Sequence, residues 1–137
     1  SATIIAMVAL FALIRLTSVP DDFSLHKNMG DSVLQERKFA LETDEYVDYR
    51  ITVDCFDKVV DEYSAALEDK GVASALRDSL ETRIERINEI RPILERYGGI
   101  CDTLEFVQKE NLPVQVEIYS RKKARMSDIL KVKINSL

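Results

Sequence analysis

The sequence predicts a mainly α protein. A short N-terminal hydrophobic helix of transmembrane character leads into an antiparallel helical hairpin or bundle, and a small β-ribbon closes the C-terminus. Three observations carry this. Ser1–Ile14 contains no charged residue. From Asp31 to Lys70 there is neither Gly nor Pro, and apolar side chains recur every seven residues. In the last segment, apolar and polar residues alternate on either side of a basic cluster. The 137 residues are 46% hydrophobic and 31% charged. That balance suits one globular domain with a small appendage and excludes a disordered chain. It divides into an anchor at 1–19, a connector at 20–31, a helical body at 32–111 and a basic tail at 112–137.

The first element is SATIIAMVALFALI, followed by Arg15. Ile4, Ile5, Val8, Leu10, Phe11, Leu13 and Ile14 supply its apolar surface, with Arg15 as a snorkelling end residue. As a helix, Ser1–Val19 reaches about 28 Å, barely a membrane span. A membrane anchor is the leading reading. A buried core helix and a secretory leader are its rivals; the leader lacks a basic start and a small-x-small cleavage site. Pro20, Asp21 and Asp22 mark the return to water. Arg15, His26 and Lys27 weakly place the body on the cytoplasmic or matrix side.

After a polar connector ending at Gly30, Asp31 or Ser32 is suited to cap a helix. Phe39, Tyr46, Val53, Val60 and Leu67 are spaced by seven, and Tyr49, Phe56 and Tyr63 form the companion row. Only Glu42 breaks that row. The seam is too bulky for a tight zipper and suits packing in a bundle or against a partner. The rival is an α+β fold with a strand at 46–55, where Val47, Tyr49, Ile51, Val53 and Cys55 alternate with polar residues. The heptad spacing runs well beyond that window, so helix is preferred.

Lys70-Gly71 stops this helix. The next runs from Ala73 to Tyr97 with Leu76, Leu80, Ile84, Ile87, Ile90 or Arg91, and Leu94 on one face. Pro92 is expected to kink or restart it, and Gly98-Gly99 to end it. A short third helix fits Ile100–Lys109, closed by Asn111-Leu112-Pro113. In the tail, Val114, Val116 and Ile118, then Leu130, Val132 and Ile134, alternate with polar residues as two short strands.

Charge is uneven. The chain carries −5, with −8 over Asp21–Lys70 and +4 over Leu112–Leu137. This argues against wrapping nucleic acid with the whole chain. Arg121, Lys122, Lys123 and Arg125 offer a basic contact for an anionic partner.

There is no Gly-rich phosphate loop, no nucleophile elbow, no paired Glu-x-x-His and no calcium loop. The lone His26 and the acidic face of Asp54, Asp57 and Asp61 read as solvated surface. Cys55 and Cys101 fall roughly 13 Å apart along the axis of a folded hairpin, too far for a bridge, and read as free thiols. No cofactor, metal or catalytic set is expected. The function that follows is docking. The chain reads as a single-pass, membrane-anchored accessory or scaffold subunit of a larger membrane complex. Its partners would be other protein subunits and the lipid bilayer through the N-terminal helix, with homo-oligomers allowed and no nucleic acid. A membrane-attached ligand-sensing bundle and a filament-forming protein are the alternatives.

Overall fold

The structure is a computed structural model and describes residues 21–137. The expectation of a membrane anchor at 1–19, including Arg15, lies outside the described residues. Four helices make up the described part: α1 (Asp21–Thr43), α2 (Tyr49–Leu67), α3 (Ser74–Lys109) and α4 (Pro113–Asn135). No strand occurs among the described residues. Each helix packs on its neighbour in sequence, and α1 brushes α4, so the chain winds up-down-up-down as a helical bundle. None of these helices is long and apolar enough to cross a membrane.

The stretch expected as a connector is helical from Asp21 onward. Its apolar period is hidden by Gly30, which looks like a breaker but faces the core. A Cβ on Gly30 would stand 2.5 Å from the Tyr63 ring. The missing side chain lets the ring lie against the α1 backbone, with Phe23, Leu34 and Leu41 continuing the buried face. Asp31 does not cap a helix; it sits mid-helix and bonds across the bundle.

The seven-residue seam is not one helix. The chain turns between Thr43 and Tyr49. Asp48 starts α2, its side chain accepting from the Ile51 N–H at 3.0 Å. The turn is stapled inside: Tyr97 donates to the Val47 carbonyl at 2.6 Å, and the Val47 N–H donates to Ser127 Oγ at 2.8 Å. Helix is also the state of most of the rival strand window, since residues 49–55 belong to α2.

α3 runs unbroken through both expected interruptions. Pro92 and Asn88, whose carbonyl loses its partner to the proline, both lie on the exposed side of the helix. At Gly98 the Tyr49 ring occupies the place of a Cβ, 2.6 Å from it. This glycine is therefore a packing residue, not a stop. The expected third helix is the distal end of α3. It ends where the sequence says, at Asn111 with φ 54°. The Leu112 N–H reaches the Val107 carbonyl at 3.1 Å and the Asn111 N–H reaches that of Gln108 at 3.2 Å, a Schellman closure. Pro113 then opens α4 at a position where its missing N–H costs nothing.

The two strands expected in the tail are instead one helix, α4. Val116, Leu130 and Ile134 turn inward, while Val114, Ile118, Ile129 and Val132 are exposed on the opposite side. Apolar residues serving two opposite faces of a helix produce the every-second-residue pattern that imitates a strand.

Phe23, Leu34, Phe56, Val59, Tyr63, Leu80, Ile87, Leu94, Tyr97, Leu130 and Ile134 form the centre of the core. Leu104 and Val107 are buried too but stand apart from it. The turn between α1 and α2 meets α3 at Tyr97 and α4 at Lys123 and Ser127. Past that level, α3 and α4 continue together as a two-helix extension.

Candidate functional site

The eight seam residues separate into two sets. Phe56 and Tyr63 are fully buried, and Tyr49, Val53, Val60 and Leu67 pack half-buried against the same core. Phe39 is 72% exposed and Tyr46 is 39% exposed. The turn at 44–48 resets the phase between α1 and α2, so one heptad cannot run through both. Most of the seam is intramolecular.

At its heart is a polar tie across three helices. Tyr63 Oη donates to Asp31 Oδ1 at 2.5 Å, and Arg83 donates to the same oxygen at 2.7 Å and to Tyr63 Oη at 2.8 Å. Lys27 bonds the other Asp31 oxygen at 2.8 Å. Burial and the Asp31 carboxylate push the Tyr63 hydroxyl up to about 12. Burial pulls the Asp31 pKa upward, but the hydrogen bonds from Lys27 and Tyr63 and the two cations outweigh it and hold the carboxyl below its ordinary value. A phenol that stays protonated beside a carboxylate that stays ionised is a fixed donor–acceptor pair. It locks helices and is poorly placed to exchange protons near neutral pH.

Cys55 is buried, and that burial pushes its thiol up to about 11, which keeps it protonated and unreactive. Cys101 is half-buried near Tyr97, and the two cysteines are free. Asp57 pairs with Arg91 at 2.8 Å, and Asp54 and Asp61 are exposed. No cluster among the described residues is arranged to hold a metal ion. His26 bonds Glu62 at 2.8 Å, tying α1 to α2.

The basic cluster also divides. Lys123 lies over the Tyr46 ring, 4.9 Å from its centre, as a cation–π contact that holds the turn. Arg121, Lys122 and Arg125 are exposed, and Lys122 lies over the Tyr119 ring, 4.9 Å from its centre. Arg121 pairs along its own helix with Glu117, an exposed pair of little energetic weight.

What the structure exposes instead is the end of the two-helix extension. Phe106 is 59% exposed and Val114 is 64% exposed, with Leu112 and Pro113 between them. Beside them a groove of about 550 Å³ is lined by Gln108, Asn111, Leu112, Pro113, Val116 and Glu117. Neither Phe106 nor Leu112 stands out in the sequence as a contact residue. Phe106 falls off the apolar stripe of its helix, and that displacement is the one signal that could mark it. A second groove of about 290 Å³ runs between α1 and α2 past Val33, Ala40, Ile51 and Cys55. Arg37 borders it, buried, with Nε unpartnered while its other end holds Asp44 at 3.0 Å.

Comparison of the chain with protein-family models, with curated proteins and with solved structures returns no match.

Proposed function

We propose that this chain is a membrane-anchored accessory subunit. Its role is to present the end of the α3–α4 hairpin to another protein of a membrane complex. The observation that carries the reading is the concentration of exposed apolar side chains at that end: Phe106, Leu112 and Val114 within one turn-linked segment. Large apolar groups gathered on a projecting tip are costly in water and favour a partner. The uncharged run Ser1–Ile14 supports attachment to a bilayer. Residue 21 and the tip lie at opposite ends of the body, because α1 runs toward the turn that the extension overshoots. α3 alone is about 54 Å long. An anchor at one end and a docking tip at the other suit a subunit that reaches along or away from a membrane to its partner. The mechanism is docking, with binding energy supplied by burial of the tip.

The test combines fractionation with native gels. In cell membranes the intact chain should resist alkaline washing, whereas a chain lacking residues 1–19 should be released. In mild detergent the intact chain should migrate as a larger complex. Phe106→Glu with Val114→Glu should abolish that complex while leaving membrane attachment and helicity unchanged. Migration of the double variant at the size of the intact complex would sink the tip as the docking surface.

A further inference from the structure

We propose that the outer face of α4 lies against the surface of an anionic lipid bilayer, holding the helical body flat on the membrane. The proposal rests on the preceding reading in placing the chain at a membrane; its apolar side chains lie further along the same α4 face that carries Val114 of the docking tip.

Two independent features of α4 converge on one face. The first is apolar. Ile118, Ile129 and Val132 are 45%, 40% and 72% exposed and fall within one stripe, diametrically opposite the buried Ser127, Leu130 and Ile134. A helix at the surface of a bundle needs a single apolar face; α4 has two. The second is charge. Six basic and two acidic side chains leave α4 at +4 on a chain of −5, so the rest of the molecule is strongly acidic. Two of the six are used inside: Lys123 covers Tyr46, and Lys131 donates to the carbonyls of Asp44 and Glu45. The other four, Arg121, Lys122, Arg125 and Lys133, are exposed and border or interrupt the apolar stripe; Arg121 makes an exposed pair with Glu117, and Lys122 lies over the Tyr119 ring.

Isoleucines and valines interleaved with long cations are what an interfacial helix uses. The apolar side chains enter the headgroup boundary, and the cations snorkel to lipid phosphates and carboxylates. The same pattern disfavours a second copy of the chain. A symmetric α4–α4 contact would bring Arg121 and Arg125 against their own copies in the middle of the seam. The acidic charge on the remaining helices would be repelled by an anionic membrane, and this fixes which side faces down.

The chain has no Trp, so Val132→Trp introduces one fluorophore into the proposed face of the full-length protein. Phe39→Trp, at an equally exposed site on α1, is the control. Each is mixed with vesicles of phosphatidylcholine alone or with added phosphatidylserine. The expected result is emission at shorter wavelength, quenched by brominated acyl chains, for Val132→Trp and only with phosphatidylserine. Adding Arg121→Gln, Lys122→Gln and Arg125→Gln should lower the docked fraction on the order of 100-fold, at about fivefold per basic residue. An unshifted, water-quenched indole on anionic vesicles would overturn the proposal. So would an indole already shielded without vesicles, because protein would then cover the face. Flotation with neutral vesicles reports the N-terminal attachment separately, so either idea can fail while the other stands.

Discussion

Gly30 and Gly98 do the same job on different helices. Each gives up a side chain so that an aromatic ring, Tyr63 or Tyr49, can lie on the helix backbone. Gly99, next to one of them, has nothing within 4 Å of the place a Cβ would take. Neighbouring glycines should therefore respond oppositely. Gly30→Ala and Gly98→Ala should each lose about 1–3 kcal/mol from forced repacking. Gly99→Ala should gain about 0.5–1 kcal/mol from helix propensity. Urea unfolding of the three variants checks this, and equal effects at all three would contradict the packing described. The polar tie makes a pH prediction. Asp31 has its pKa lowered in the fold. Its contribution is thus present above the unfolded value and is lost as pH falls through the lower folded one. Asp31→Asn should be less stable than the parent near neutral pH, and the difference should shrink in acid below the ordinary value of 3.8. Thermal melts at a series of pH values read this directly. Sequence could not reveal these roles, because a glycine that packs and a glycine that breaks are the same letter. Only the ring across the interface distinguishes them.

At the scale of elements, boundaries follow local chemistry wherever the chain faces water. Asp48 caps α2, and Asn111-Leu112-Pro113 closes α3 and opens α4. These signals are legible in the sequence at the end of α3 and masked at Asp48 by a heptad that runs across the turn. Pro92 misleads in the other direction. Its cost is real, but packing of α3 against α2 and α4 along both sides of it outweighs that cost. Pro92→Ala should accordingly stabilise the fold, by about 1–3 kcal/mol, since Pro is about 3 kcal/mol worse than Ala in a helix interior. A lower melting temperature for this variant would contradict that balance. The turn at Val47 is the converse case. Tyr97→Phe removes the donor to a buried carbonyl and should cost about 1–3 kcal/mol, measurable by chemical denaturation.

Taken whole, the molecule has two regions of unequal support. From Asp21 to about Tyr97, helices pack on more than one neighbour; beyond the turn at 44–48, α3 and α4 have only each other. Amides near Leu104 and Tyr119 should exchange hydrogen sooner than those near Val59 and Ile87, because local opening there breaks fewer contacts. Exchange followed by mass spectrometry would show it, and uniform protection would argue that the extension is not separate. This less supported, apolar-tipped end carries the proposed docking surface. The mainly helical character of the body, the acidic body and basic tail, and the stops at Gly71 and Asn111 were determined by the sequence itself. Each depends on residues close together in the chain, or on charge that no fold can change. The tertiary structure alone decided that the stretch from Asp21 to Asp31 is helical, that the aromatic seam faces inward, and that the tail is a helix with two apolar faces. Those outcomes turn on which side chain stands opposite which, across helices far apart in sequence, and a one-dimensional pattern does not contain that distance.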